Sequence, residues 1–199
     1  MRRTKDDAEL TRRKLLQASY ELILDKGYER MTQDDIAKRV SMTRGAVNWH
    51  FESKEAIYIA ILTDFLDHLA ERRQAIYQQS TMPVEERLTA LFVMPVQEWD
   101  KFSFINQISP YLLKLPSFQA IHRRMENNRK EFRAYLEACL AELETARGKP
   151  LTHDKNDVTA LLFFLYEGLH SPSAESLFGD SLNEQSVAQY LRLVLTQLG

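Results

Sequence analysis

Residues Thr32 to Lys54 read TQDDIAKRVSMTRGAVNWHFESK, and this stretch decides the fold. Thr32 reads as a helix N-cap. Asp35 lies at the third helical position, close to a capping box, and Ile36, Ala37 and Val40 form the inward face of a helix ending near Ser41. Thr43 caps a second helix, Arg44–His50, barely two turns long. Two short helices joined by a tight turn match the plan of a helix-turn-helix DNA reader. Gly45 and Ala46 present no bulk, so the second helix can enter a major groove, and Arg44 at its start can reach guanine O6/N7 or a phosphate. Asn48, Trp49 and His50 supply an amide, an indole N–H and an imidazole, and Lys54 adds a charge at the next helix start. The caps at Thr32 and Thr43 set positive helix ends where phosphates can bind. Two short helices of any bundle can carry such residues, with Trp49 and Phe51 packed in a core.

Upstream, Leu15, Ala18, Leu22 and Leu16, Tyr20, Ile23 recur at helical spacing from Ala8 to Lys26, and Gly27 is a stop signal. Downstream, Ser53 restarts a long helix rich in Ile57, Ile61, Leu62, Phe65, Leu66 and Leu69 that runs to the polar patch before Pro83. All six prolines lie beyond residue 80 and cut the second half into segments near 84–99, 103–114, 117–146, 154–170 and 183–198. Pro95 falls inside one of them and predicts a kink or an early end, and Ser171-Pro172-Ser173 ends or kinks another. The chain is therefore expected to be all-α, with about nine helices. A three-helix head, residues 1–53, sits on a larger helical body, residues 54–199.

Bulk properties bound the rest. The 199 residues are 44% hydrophobic and 27% charged, which excludes a disordered chain. Residues 1–54 hold 12 Lys and Arg against 9 Asp and Glu, whereas the remainder holds 14 against 19. Arg2, Arg3, Lys5, Arg12, Arg13 and Lys14 crowd the N-terminus, a cluster that fits a solvated helix end as well as phosphate contacts. The single cysteine, Cys139, lies in an apolar-periodic stretch and reads as a buried thiol. Without a signal peptide or an apolar run near the ~18 residues that span a bilayer, a cytoplasmic protein with no membrane contact is expected.

The combination Gly27-Tyr28, Thr32, Ile36-Ala37, Thr43-Arg44-Gly45-Ala46, Trp49-His50-Phe51 and Lys54, with the opening MRRTKDDAELTRRKLL, resembles the TetR family of transcriptional repressors. Within it the chain is similar to multidrug-efflux regulators of the AcrR and TtgR kind. The resemblance covers about residues 1–60. It implies that Thr32, Thr43, Arg44, Gly45, Trp49, His50 and Lys54 face DNA, with Ala46 in the same helix and Asn48 a contact of open kind. It implies a homodimer on a pseudo-palindromic operator, recognition helices roughly 35 Å apart, and control of an efflux or catabolic operon. Two residues depart from the pattern. Val40-Ser41-Met42 replaces the family's Ala-Gly-Val turn, so a left-handed Ser41 would cost on the order of 1 kcal/mol. Asn48 stands where the family has a phosphate-contacting tyrosine; it is too short for that contact and could instead read an adenine edge.

The resemblance also implies a small-molecule cavity in the body. Its candidate lining is Leu62, Phe65, Leu66, Trp99, Phe102, Phe104, Ile108, Tyr111, Met125, Phe132 and Phe164, with Gln107, Asn128 or Glu167 as polar partners, although most such aromatics serve simply as core. The effector would be predominantly apolar or aromatic. A cationic one would want a carboxylate from Glu98 or Glu167, both expected to face solvent or cap a helix. The last two helices read as the dimer surface: Thr159, Leu161, Leu162, Phe163, Leu165 and Tyr166 are apolar nearly all round, and Tyr190, Leu191, Leu193, Val194 and Leu198 form a stripe.

Rival functions have thinner support. Glu167-x-x-His170 matches one step of a di-iron bundle, but the chain contains no second E-x-x-H, and no metal or other cofactor is expected. His122, His153 and His170 stand singly, as surface or capping residues do. A head that binds protein instead of DNA is a second rival. The alternative within the regulator class activates, or acts without an inducer.

Overall fold

Gly27 ends the first helix, α1 (Lys5–Lys26), in the left-handed conformation, φ 81°, with its N–H on Ile23 O at 2.8 Å. The computed structural model describes residues 5–106, 112 and 114–197, except for the side chains at 102, 106, 172, 175, 178 and 180. Two compact units emerge, residues 1–64 and 65–199.

In the first unit, α2 (Gln33–Arg39) packs against both α1 and α3 (Arg44–His50). The capping box at α2 is complete: the Thr32 N–H donates to Asp35 Oδ2 at 2.9 Å, and the Asp35 N–H donates to Thr32 Oγ1 at 3.2 Å. Leu15, Leu16, Ala18, Leu22, Ile23, Ile36, Ala37, Val47 and Phe51 are buried, while Tyr20 and Val40 are half-buried. α4 (Lys54–Tyr77) contributes its first turns here through Ile57, Tyr58 and Ile61, all buried, and Tyr58 stacks on Tyr28 at 4.6 Å. The division between the units therefore falls inside α4, beyond the 53/54 boundary read from the sequence, because these apolar residues complete the head's interior.

In the second unit, α5 (Val84–Gln97) packs on α10 (Glu184–Gln197) and on α7 (Gln119–Arg147), and α7 packs along α8 (Lys155–Leu169). Leu88, Leu91, Phe92, Phe132, Leu136, Leu140, Leu162 and Leu191 form its core. Each such side chain contributes on the order of 1.5–3 kcal/mol by leaving water. Cys139 lies inside this core, and burial pushes its thiol up to about 11, so it is inert as a nucleophile.

The breaks expected at Pro95 and Pro172 are present, and the structure adds detail to the expected segments. Pro95 cannot donate a backbone hydrogen bond; α5 stops at Gln97, and α6 (Trp99–Asn106) begins directly after Glu98, so the segment read as 84–99 divides there. Residues 116–118 form a 3-10 turn leading into α7. Past Leu169, Pro172 ends one helix and starts another, α9 (Pro172–Phe178), because proline suits a first helical turn. A 3-10 turn follows at Gly179–Ser181. Among the described residues no helix is long and apolar enough to cross a membrane.

Candidate functional site

α3 is held from one side only. Val47 is its buried residue, and the Thr43 hydroxyl accepts the Ala46 N–H at 3.2 Å, closing the first turn. Thr43, Arg44, Gly45 and Asn48 are exposed, Ala46 and His50 are half-buried, and Trp49 is 70% exposed. Phe51 is buried beneath Arg12, whose guanidinium lies 5.2 Å from the ring centre. The two aromatics that a bundle core would share thus part company: Phe51 packs, and Trp49 projects outward with its ring edge-on to His50 at 4.6 Å.

Ser41 closes the α2–α3 turn at φ 55°, the left-handed conformation that glycine adopts at least cost. Its N–H bonds Lys38 O at 3.2 Å, and the Met42 N–H bonds Ala37 O at 2.8 Å, so the turn is closed despite the strain.

Two residues expected at DNA have structural duties. Thr32 is exposed, but its N–H and hydroxyl both engage Asp35. Hydrogen bonds from Lys26 and Thr32 hold that carboxyl down at about 2. Lys54 sits 4.4 Å from the Tyr28 ring centre and donates to the carbonyls of Tyr28 and Glu29, each at 3.0 Å, bracing the α1–α2 loop. Asp34, which sequence reasoning missed, places a carboxylate 3.5 Å from Arg44 Nη1. Its signal was available: an acidic residue in the first turn of α2, one helix away from the arginine.

The second unit holds a cavity of about 200 Å³ between α4, α6, α7 and α8. Of the sequence candidates it gathers Leu66, Met125, Phe132, Asn128 and Glu167. Leu69, Arg73, Ile105, Arg129, Tyr166, His170 and Ser171 complete the wall, none of them foreseen as lining. Leu69 and Arg73 follow Leu66 at i+3 and i+7, so the helical period already placed them on its face.

The other candidates lie elsewhere. Leu62 is buried in the first unit, Trp99 is half-buried, and Phe65 packs edge-on against buried Phe104 at 5.4 Å. None of these four lines the cavity. Phe164 is corrected outright: it is 72% exposed. Val158, Thr159, Leu162 and Tyr166 take the inner face of α8, and a residue two positions from both Leu162 and Tyr166 points the opposite way. Gln107, Ile108, Tyr111 and Leu198 lie outside the described residues, as does the side chain of Phe102.

The cavity's polar groups are few and definite. Arg73 is only 7% exposed; its Nη1 donates to Asn128 O at 2.9 Å, and its guanidinium lies 5.2 Å from the Phe132 ring centre. Asn128 Nδ2 donates to Leu66 O at 3.3 Å, tying α7 to α4. Tyr166 lies tilted against Phe132, ring centres 4.1 Å apart, and burial raises its hydroxyl to about 12. His170 is the C-cap of α8, the capping role expected of it, but it is buried beside Tyr166; burial drives it down to about 4, so it is neutral at physiological pH. Glu167 pairs with Arg129 at 3.1 Å.

Glu98 is the C-cap of α5, one of the two roles expected of it, and is buried there rather than solvent-facing. Burial alone would raise its carboxyl, but Lys101, His68 and Arg72 outweigh that and hold it at about 2. It is spent on that cluster and does not line the cavity.

Comparison with known proteins adds a lineage to this geometry. The family described as "Bacterial regulatory proteins, tetR family" matches residues 15–61, from the middle of α1 into α4. The repressor KstR2 of Mycolicibacterium smegmatis is 30% identical over 135 residues, 66% of this chain and 65% of that protein, so the match spans just under two thirds of the relative's length. The regulator SrpR of Pseudomonas putida is 28% identical over 186 residues, 88% of this chain and 83% of that one. A TetR/AcrR-family regulator from Thermobifida fusca superposes with a TM-score of 0.68 at 26% identity, covering 93% of this chain and 96% of its own.

Proposed function

Because this chain belongs to the tetR family of bacterial regulatory proteins, which are transcription factors and not enzymes, we propose that it is a cytoplasmic repressor that binds operator DNA through α3. The observation that carries this reading is the outward face of α3. A two-turn helix that buries Val47 and exposes Trp49, Asn48 and Arg44 spends its largest side chain on something outside the unit. Gly45 leaves room beside the groove floor, since a Cβ there would meet only Thr43 Oγ1 at 3.9 Å. Arg44 and Asn48 offer a guanidinium and an amide to base edges, while His50 and Thr43 serve phosphates. Thr32 and Lys54 act behind this face, fixing the α1–α2 loop that presents it.

The repressor acts as a homodimer on a pseudo-palindrome. In support, α8 turns Leu161 and Phe164 outward and α10 turns Tyr190 and Leu193 outward, apolar surface that a two-fold partner would bury. A predominantly apolar effector occupies the cavity of the second unit and biases the paired heads away from the operator spacing. A tenfold release needs about 1.4 kcal/mol of differential affinity. The regulated genes belong to an efflux or catabolic operon.

Footprinting of the DNA flanking the protein's own gene tests this. A protected pseudo-palindrome is expected at low salt, with log affinity falling against log salt by about 0.9 per phosphate engaged. A Trp49→Ala, Arg44→Ala double variant that protects the site like the parent would remove α3 as the reader. A protected site of one half only would remove the dimer.

A further inference from the structure

Arg73 is the least compensated charge in the cavity wall. It is 93% buried (7% exposed), and its Nε has no hydrogen-bond partner. Among the described residues no carboxylate comes within ion-pairing distance of it: the acidic group of the same wall, Glu167, is held by Arg129, and the adjoining His170 is neutral. What Arg73 does have is the Asn128 carbonyl, the face of Phe132 and the neighbouring Tyr166 hydroxyl. A guanidinium cannot shed its proton to escape burial, so a charge placed this way is costly until an anion joins it. Around it the wall is apolar: Leu66, Leu69, Ile105, Met125 and Phe132.

We propose that the cavity takes an amphipathic carboxylate, whose acidic head pairs with Arg73 and whose aliphatic or aromatic body lies against those apolar residues. The proposal rests on the effector-cavity reading above and narrows it from an apolar ligand to an organic acid. The planar guanidinium fork matches a carboxylate. A cavity of about 200 Å³ accommodates a molecule the size of a phenylalkanoic acid. Glu167, paired to Arg129 beside the same space, disfavours a second negative group, so a monoanion fits better than a diacid.

Calorimetric titration of the full chain with 4-phenylbutyrate, 4-phenylbutan-1-ol and 4-phenylbutylamine tests it, since the three share one body and differ in the head. The acid is expected to bind about tenfold to a hundredfold more tightly than the alcohol, the range that a charged hydrogen bond confers, and the amine least of all. Arg73→Met should bring the acid down to the affinity of the alcohol and leave the alcohol within about threefold of the parent. Arg73→Lys should keep part of the preference, and the parent series stands alone if Arg73→Met fails to fold. Equal affinity of acid and alcohol in the parent overturns the carboxylate assignment and spares the cavity. Failure of all three to bind at millimolar concentration overturns the effector cavity, and this proposal with it.

Discussion

Ser41→Gly should stabilise the protein, and the amount follows from one dihedral angle. Ser41 sits at φ 55°, and among the described residues it is the one non-glycine with positive φ. An L-residue in that conformation costs about 1–2 kcal/mol through the approach of its Cβ to the following carbonyl. Glycine removes that cost, but it widens the unfolded ensemble, which returns about 0.4–1 kcal/mol. With both quantities at the middle of their ranges, the net gain is about 0.8 kcal/mol. Nothing else need change: Ser41 is exposed, and its backbone N–H keeps the 3.2 Å bond to Lys38 O. Urea unfolding of the full chain should show a higher midpoint at an unchanged slope, and the thermal midpoint should rise by roughly 1–4 °C. Ser41→Ala is the control, because alanine retains the Cβ and should unfold close to the parent. A glycine variant no more stable than both parent and alanine variant would mean that the turn is not strained, and the argument from φ would fail.

Three further outcomes follow from particular contacts. Asp34→Asn should release Arg44 and remove a negative charge from the α3 face; the pair is 3.5 Å apart and more than half exposed, so operator affinity should rise by up to about fivefold at low salt and the gain fade as salt screens it. A gel-shift titration in which Asp34→Asn binds more weakly would show instead that Asp34 orients the arginine for contact. On the homodimer proposal, Phe164→Glu should give a folded monomer by light scattering, since an exposed ring contributes nothing to the core, and a dimeric variant would place the interface elsewhere. For Glu98 the sign runs toward acid lability: its carboxyl is held near 2 against an ordinary 4.5, so its contribution is full above 4.5 and disappears as pH falls toward 2. Glu98→Gln should therefore flatten stability against pH in that window, and parallel curves for parent and variant would deny the ion cluster its role.

How much could be read in the chain without its fold depends on whether the signal was local. The caps at Thr32 and Thr43, the stop at Gly27 and the bounds of α3 are settled by residues within four positions of one another, so the amino-acid sequence determined them outright. The strained turn at Ser41 was equally visible, as a side chain standing where glycine is usual. Side-chain fate across the body was not legible in the same way. α8 is apolar nearly all round between Val158 and Tyr166, so the sequence could not tell Phe164 from Phe163 or Tyr166, and only packing against α7 turned Tyr166 inward and Phe164 out. Arg73 escaped notice because a lone arginine on a long helix usually faces water; its burial needs α7 brought over it, with the Asn128 carbonyl from 55 residues away in the chain and the Phe132 ring beyond that. The bracing contacts of Lys54, read in the sequence as a DNA-facing charge, were equally hidden until the Tyr28 and Glu29 carbonyls met its ammonium. The sequence by itself determined the caps and ends of α1 to α3 and placed Arg44, Asn48 and Trp49 on one short helix. Tertiary structure alone decided which charges are spent within the fold and which are left for a ligand, because compensation depends on distances that no local pattern encodes.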